Sequence, residues 1–167
     1  MFMNVIETKK DLVIHDSKIV KKLKTLAKKS PLKRSRICLH KSIKNNTNEM
    51  IIALMKDSYI PPHIHPDKKS ESYHIIEGKM NVFIFNKKGK LSKIIKMGDY
   101  KSGNVFYYRM NKGHYHMPVS LTNFCIYHET YSGPFNKKKD VHFPKWAPDQ
   151  KKFIGVKSLI SKIKEGF

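Results

Sequence analysis

The most informative stretch of the chain is residues 61–78, PPHIHPDKKSESYHIIEG. It places His63 and His65 two positions apart, follows them with Glu71 and ends on Gly78. Side chains two residues apart on a β-strand point to the same face, so the two imidazoles can reach the same ion. Glu71 opens the next predicted strand and can bring a carboxylate to that ion, while Gly78 permits the tight turn that lets this strand double back. The spacing therefore predicts a metal site built on β-strands.

A further ligand has to come from later in the chain, and residues 111–119, NKGHYHMPV, offer two histidines. His116 is the better candidate because Gly113 supplies a turn that leads into an inward-facing strand. His114 has the same strand parity as His116, so it stays an alternative ligand. Three imidazoles and one carboxylate leave positions open on an octahedral Fe, Mn or Ni ion, whereas zinc can be satisfied by the protein alone. The residues thus predict one divalent metal ion (Zn, Fe, Mn or Ni).

The rest of the chain consists largely of short β-branched and aromatic runs bounded by Gly, Pro, Asn or charged clusters. These runs predict strands near residues 36–41, 49–56, 59–65, 72–76, 80–86, 91–97, 105–110, 116–121 and 124–131. Glu77-Gly78 and Lys88-Gly89 predict the turns of two successive hairpins. Many short strands with almost no helix between them predict an antiparallel sandwich or barrel.

Both ends of the chain show helical patterns. Apolar residues recur at helical spacing between Ser17 and Lys29, where Asp16 or Ser17 can cap the helix and Pro31 stops it. A second pattern lies within residues 156–166, and residues 136–140 are predicted to form a loop. At 167 residues the chain has the length of about one domain. We expect an N-terminal extension with a helix at 1–32, a β-barrel at 33–135 and a C-terminal loop and helix at 136–167 that pack on the barrel.

The composition is strongly basic, with 34 Lys and Arg against 13 Asp and Glu and a formal net charge of +21. The excess is almost all lysine and is scattered along the chain, which is typical of a solvated surface and not of a specific nucleic-acid interface. Nucleic-acid binding stays a lesser alternative that predicts a steep salt dependence. No apolar run reaches the ~20 residues of a membrane span. Two cysteines without CxxC spacing and an N-terminus without secretory features predict a cytoplasmic protein.

The ordered set of motifs resembles the cupin metal signature and, more closely, the WbuC-type cupin metalloproteins. The resemblance is carried by Arg36-x-Cys38-x-His40, Ser58-Tyr59-x-x-Pro62-His63-x-His65, Lys69-x-Glu71, Phe85-x-x-x-Gly89, Gly113-x-x-His116, His128-Glu129-x-x-x-Gly133-Pro134-Phe135 and Trp146-Ala147-Pro148. It covers roughly residues 30–150. It implies an all-β fold, the cupin double-stranded β-helix or jelly roll, here with short N-terminal and C-terminal helices. It also implies a divalent metal in the barrel and a gene near those for surface-polysaccharide (O-antigen) synthesis.

Several polar residues are candidates for ligand binding. Arg36 and His40 share a predicted strand face and can present donors to an anionic or hydroxyl-rich ligand, or else form a salt bridge at the rim. Lys69, within the family motif, is a further candidate. Arg109 is expected to line the barrel together with Tyr107, since the two residues share a strand face.

Two residues are candidates for catalysis, Glu129 and Tyr107. Glu129 shares a face of the last strand with Tyr127, which is a candidate for ligand binding. Burial near the metal can raise the pKa of Glu129 toward the working pH, which suits a general base. The alternative is a structural carboxylate that accepts backbone hydrogen bonds from the Gly133-Pro134 turn.

These features support one leading hypothesis and two alternatives. The leading one is a metal-binding cupin that acts on, or binds, a sugar or sugar nucleotide of surface-polysaccharide (O-antigen or capsule) synthesis, with the metal as Lewis acid; an isomerase or epimerase would fit. The alternatives are a non-catalytic ligand-binding or sensor cupin and a mononuclear iron dioxygenase. By analogy with cupins we expect a homodimer, with the N-terminal apolar helix or a barrel edge as its interface.

Overall fold

Two β-sheets make up most of the computed structural model, which describes residues 4–149 together with Leu159 and Ser161. The strands are β1 (Val5–Glu7), β2 (Arg34–Cys38), β3 (Thr47–Met55), β4 (Glu71–Glu77), β5 (Lys79–Phe85), β6 (Leu91–Gly98), β7 (Tyr107–Met110), β8 (Tyr115–Ser120) and β9 (Phe124–Ser132). One sheet has the order β1-β2-β3-β9-β4-β7 and the other β6-β5-β8. Within these sheets only β1 and β2 pair in parallel. The last strand lies between β3 and β4, and the predicted all-β jelly roll is confirmed.

The predicted N-terminal helix is confirmed as α1 (Ser17–Lys29), preceded by Asp16, whose carboxylate accepts a hydrogen bond from the Lys18 amide at 2.8 Å. The apolar face of α1 packs on the outer side of the larger sheet, where Leu23 and Ala27 are fully buried. Because the chain itself covers this face, α1 does not offer the apolar dimer interface considered above. Among residues 4–149, no helix is both long and apolar enough to cross a bilayer.

The segment predicted as a loop at 136–140 contains a short helix, α2 (Lys137–Asp140). The Asn136 side chain accepts hydrogen bonds from the amides of Lys138 and Lys139, and the Asp140 carboxylate accepts one from the Asn136 amide at 2.7 Å. These side-chain caps close a single turn that the lysine-rich composition does not indicate. Most of the predicted C-terminal helix lies outside the described residues; Leu159 and Ser161 are helical, and Leu159 packs on the outer side of the smaller sheet, near Phe85 and Met117.

The prediction of a strand at residues 59–65 is wrong. This segment makes only two isolated bridges, between His63 and His116 and between Ile64 and His142. Pro61, Pro62 and Pro66 lack the N–H that a continuous ladder needs, so the segment crosses from one sheet to the other without pairing along its length. The strand β1 was not predicted, because its three residues are too short to show an alternating pattern.

The core between the sheets is apolar at one end and polar at the other. Its apolar part includes Leu54, Met80, Met97, Cys125 and Tyr127, all nearly inaccessible to solvent. Alternation along β4 and β9 continues the same inward face toward the polar end, where charged and imidazole side chains replace aliphatic ones. The polar end of the barrel is therefore where a functional site can be built.

Candidate metal centre

Four side chains from separate parts of the chain converge at the polar end of the barrel: His63, His65, Glu71 and His116. They are only 8%, 7%, 3% and 0% exposed, respectively. One ligand atom from each lies within 4.8 Å of the others. Glu71 opens β4 in the larger sheet and His116 lies on β8 in the smaller one, while the irregular segment that crosses between them carries the other two. The site therefore joins the two sheets.

Backbone carbonyls fix the orientation of all three imidazoles. The Nδ1 atom of His63 lies 2.9 Å from the Pro61 carbonyl oxygen, that of His65 2.6 Å from Asp140, and that of His116 2.9 Å from His114. A nitrogen this close to a carbonyl oxygen must carry the proton, so each Nδ1–H donates. A neutral imidazole with a proton on Nδ1 keeps its lone pair on Nε2, which is the atom available to a metal.

The Glu71 carboxylate bridges two of these rings. Its Oε1 lies 3.2 Å from His65 Nε2 and its Oε2 lies 3.1 Å from His116 Nε2. The second contact lacks hydrogen-bond geometry, so His116 Nε2 is a fully buried nitrogen without a hydrogen-bond partner among the described residues. A buried polar atom of this kind is costly unless something else satisfies it, and a cation would. Three imidazoles and a carboxylate fit a divalent transition-metal ion.

The electrostatics of the cluster also suit a cation. Burial, with the neighbouring His116, lowers the pKa of His63 to about 3, so this imidazole is neutral at physiological pH. Burial opposes the charged forms of both Glu71 and His65. For Glu71 the contacts with the His116 and His65 imidazoles outweigh burial. For His65 the hydrogen bond and ion pair with Glu71, together with the bond to the Asp140 carbonyl, outweigh it. The pKa of Glu71 is thus held well below its usual range, and that of His65 is raised. The cluster keeps an anionic carboxylate in a buried position where a cation can neutralise it.

Gly113 lets two segments of the site approach each other closely. A Cβ atom at this position would lie 2.0 Å from the His65 carbonyl oxygen and 3.0 Å from a side-chain carbon of Ile64. Glycine is thus required here by contact with the ligand segment. The alternative ligand His114 has an exposed side chain and lies outside the four-residue cluster; it contributes its carbonyl oxygen to His116.

Glu129 lies on the same inward face of the larger sheet as Glu71. It is directly opposite Met50 on β3 and Tyr73 on β4, and it is partly exposed. Burial, and after it the charge of Glu71, raises the pKa of Glu129 to about 8. Within residues 4–149 its carboxylate makes no hydrogen bond, so the alternative of a carboxylate held by the Gly133-Pro134 turn is not seen; the Gly133 amide donates to the Asn46 carbonyl instead.

The prediction that Tyr107 and Arg109 line the barrel is wrong. Tyr107 is 47% exposed on the outer face of the larger sheet, where its ring lies against His74. Arg109 is on the same outer face and donates to Ser70 and Asn111. The register of β7 against β4 pairs Tyr108 with Tyr73, so Tyr108 is the tyrosine that faces inward.

Tyr108 is a site residue that the sequence analysis missed. Its hydroxyl donates to Glu71 Oε2 at 3.4 Å, and its ring packs against Tyr73. Tyr131 is another: its ring lies 4.8 Å from that of His65, and its buried hydroxyl has no partner among the described residues. The one sequence signal for Tyr131 was its position two residues after Glu129 on β9, which places both side chains on the same face. Tyr127 also faces inward, but it is 1% exposed within the apolar core.

The predicted basic ligand-binding residues are not brought together. Arg36 is exposed on the face of β2 opposite α1, and within the described residues no carboxylate pairs with it. His40 lies beyond the end of β2, where its Nδ1 is 3.0 Å from the Glu49 amide nitrogen. Lys69 donates to the carbonyl oxygens of Gly133 and Pro134. Of these three residues only Arg36 is exposed, and its guanidinium lies beside the Cys38 thiol.

Comparison with known proteins agrees with this fold. A family model described as a domain of unknown function (DUF6016) matches residues 15–97, just under half of the chain. A search of curated proteins finds no significant sequence match. Among solved structures, protein SO0799 from Shewanella oneidensis is similar with a TM-score of 0.55 and 11% identity, over 78% of this chain and 85% of that one.

An oxalate oxidase in complex with the substrate analogue glycolate is similar with a TM-score of 0.51 and 15% identity, over 68% of this chain. The chain spans 56% of the length of that oxidase. The capsular polysaccharide assembling protein CapF from Staphylococcus aureus shows a TM-score of 0.48 and 14% identity, over 60% of this chain and 27% of that one, which is too low to add to the argument. The chain thus has the cupin jelly-roll fold, and the polar end of its barrel forms a site for one divalent metal ion.

Proposed function

We propose that this protein is a metal-binding cupin that acts on a sugar or sugar nucleotide in surface-polysaccharide (O-antigen or capsule) biosynthesis. The observation that carries the metal part is the convergence of three imidazoles, each with Nδ1 held by a carbonyl, on one buried carboxylate. The polysaccharide part is supported by the resemblance to WbuC-type cupins over residues 30–150. A cytoplasmic location and a homodimer belong to the same proposal.

The reaction we propose is a proton transfer on the bound sugar, as in an isomerase or epimerase. His63, His65, Glu71 and His116 would hold a divalent ion, which would supply a Lewis acid for a carbonyl or hydroxyl group of the sugar. Glu129 moves the proton, because a carboxylate whose pKa is about 8 exchanges protons readily near neutral pH. Tyr108 orients Glu71 through its hydrogen bond. Arg36 binds an anionic part of the ligand, such as the phosphate of a sugar nucleotide.

Metal content tests the first part of the proposal. Protein purified without a histidine tag should contain about one divalent ion per chain by elemental analysis. His63→Ala and His116→Ala should lose this ion, since each removes one of four ligands. His74→Ala is the matched control, because His74 is exposed on the outer face of the sheet. Equal loss in the control, or full occupancy in the ligand variants, would contradict the assignment.

Turnover tests the second part and separates it from the alternatives. Nucleotide-linked keto-sugars should be converted by the wild-type protein and not by Glu71→Gln. Glu129→Gln should still bind the ligand while losing turnover, since it keeps the shape of the side chain and removes its proton exchange. Ligand binding without turnover in the wild type would instead support a non-catalytic binding or sensor protein, and oxygen consumption with an iron-loaded sample would support a dioxygenase.

A further inference from the structure

We propose that the protein binds the surface of anionic lipid bilayers through the solvent side of α1 and the loop before it. The proposal goes beyond the function proposed above and needs neither the metal nor a sugar. Three features of the described structure carry it: lysines gathered on one side of α1, two exposed aliphatic side chains beside them, and the residue types that make up this surface.

The first feature is a face of lysines on the solvent side of α1. Nine lysines and two carboxylates lie within residues 9–33, a denser cluster of positive charge than the scattered lysines of the rest of the chain. Because successive helical residues are about 100° apart, five exposed lysines lie on the side away from the buried Leu23 and Ala27. These five, which we call the lysine face, are Lys18, Lys21, Lys22, Lys28 and Lys29. The lysine face spans about 16 Å along the helix.

The charge of the lysine face is largely unbalanced. Of the two carboxylates in this region, Asp11 pairs with Lys41, and Asp16 caps α1 with the Lys18 ammonium 4.0 Å away. Within residues 4–149 the other four lysines of the face form no ion pair with a carboxylate. The face therefore presents a local excess of positive charge that a negatively charged surface can neutralise.

Two exposed aliphatic side chains lie next to the lysine face. Leu12 and Ile14 are 73% and 78% exposed. Ile14 lines a shallow depression together with Lys18 and Lys22, which places it at the N-terminal end of the face. The loop that carries both aliphatic residues is tethered by its ion pair with Lys41. This combination suits the interface of a bilayer, where aliphatic groups reach the acyl chains while ammonium groups meet the headgroup phosphates.

The residue types of this surface favour a lipid bilayer over a nucleic acid or an acidic protein. Residues 9–33 contain no arginine, phenylalanine, tyrosine or tryptophan. Proteins that bind nucleic acids use arginine forks on phosphates and aromatic rings on bases. The centres of protein interfaces are also enriched in arginine and aromatic residues, and they are depleted of lysine. A bilayer requires neither, because each lysine near an anionic surface strengthens binding about fivefold without a defined geometry.

Sedimentation with lipid vesicles tests the proposal on the full-length protein. We expect binding to phosphatidylcholine vesicles that contain about 30% phosphatidylglycerol, at about 100 mM salt, and no binding to pure phosphatidylcholine vesicles. The triple variant Lys21→Gln, Lys22→Gln and Lys29→Gln should bind the anionic vesicles about 100-fold more weakly, since each lysine contributes about fivefold.

A second triple variant is the matched control. Lys87→Gln, Lys88→Gln and Lys90→Gln remove the same charge from exposed positions near the β5–β6 turn, in the sheet that α1 does not cover. This variant should bind the anionic vesicles within about threefold of the wild type, because salt screens charges that lie far from the bilayer. Circular dichroism and melting curves establish that both triple variants are folded.

The aliphatic residues provide an independent test. Replacing both Leu12 and Ile14 with serine should weaken binding to the anionic vesicles about tenfold or more, and should leave binding to a DNA duplex unchanged. With Ile14→Trp the fluorescence emission should shift to shorter wavelength when anionic vesicles are added. With Ser92→Trp, at an exposed position on β6, it should not shift.

Four results would each overturn the proposal: no binding to the anionic vesicles, equal losses in the two triple variants, undiminished binding of the double serine variant, or an emission shift that is absent for Ile14→Trp. Equal losses would mean that net charge alone drives the association. The variants leave the four metal ligands in place, so their metal content should match that of the wild type. Failure of this proposal is thus distinguishable from failure of the proposed function.

Discussion

Replacing Glu129 with glutamine should stabilise the metal-free protein at high pH and leave it unchanged at low pH. The pKa of Glu129 is about 8 in the folded protein against an ordinary value of 4.5, so the folded state holds a proton that the unfolded chain releases. The contribution of Glu129 to the free energy of unfolding is therefore greatest below pH 4.5. It falls as the pH rises from 4.5, the pKa in the unfolded chain, to about 8, the pKa in the folded protein. Glutamine has no proton to lose and escapes this decline.

The magnitude follows from the two pKa values. They are about 3.5 pH units apart, and each unit corresponds to about 1.4 kcal/mol, which gives a ceiling of about 5 kcal/mol above pH 8. The side chain keeps part of its contact with solvent, and its charge interacts with that of Glu71. We therefore expect Glu129→Gln to raise the free energy of unfolding by about 2 kcal/mol at high pH.

Urea denaturation with a chelator present measures this difference at about pH 5 and about pH 9. Glu7→Gln, at an exposed carboxylate on β1, is the control for a general effect of removing negative charge. A wild-type to Glu129→Gln difference that is the same at both pH values, or a matching trend in the control, would refute the reasoning. A bound divalent cation offsets the charge of Glu71, so the difference at high pH should shrink when metal is added.

Three further outcomes are expected. Gly113→Ala should lower metal affinity by about tenfold or more in calorimetric titration, because the added Cβ would collide with the His65 carbonyl; unchanged affinity would show that the contact relaxes freely. Tyr108→Phe should also weaken metal binding about tenfold while Tyr107→Phe does not, since only the former hydroxyl touches the ligand carboxylate. Leu23→Ala should cost about 2–5 kcal/mol in urea denaturation and leave metal stoichiometry intact, because this fully buried side chain packs between α1 and the sheet, remote from the barrel interior.

The elements that depend on local sequence were predictable. The spacing of His63 and His65 and the glycine turn at Gly78 are local features. The antiparallel sandwich-or-barrel class and α1 follow from patterns of apolar residues, whereas the jelly roll itself was implied by the family resemblance. The inward position of Tyr108 could not be predicted, because the alternation of side chains along β7 fixes only which residues share a face. Which face turns inward is decided by pairing with β4, more than thirty residues away along the chain. Residues 59–65 were predicted as a strand because their apolar residues alternate. Their path is irregular because the prolines in and next to this segment prevent continuous pairing.

The backbone carbonyl groups that orient the imidazoles could not be predicted either, because the pattern of side chains does not indicate which backbone atoms a side chain will contact. Pro61 and His114 hold rings two residues away, but His65 depends on Asp140, 75 positions later. The glycine at 113 was recognised as informative for the wrong reason: it was expected to form a turn, and instead it makes room for the His65 backbone.

The bond from His65 to the Asp140 carbonyl sets an order of events during biosynthesis. A ribosome releases the chain from its N-terminus, so the four ligands up to His116 emerge before the residue that orients one of them. Until α2 has been made and has docked, the His65 ring is free to place its proton on either nitrogen and offers a poorer ligand. A chain that ends before α2 should therefore bind the ion less tightly than the chain that includes it.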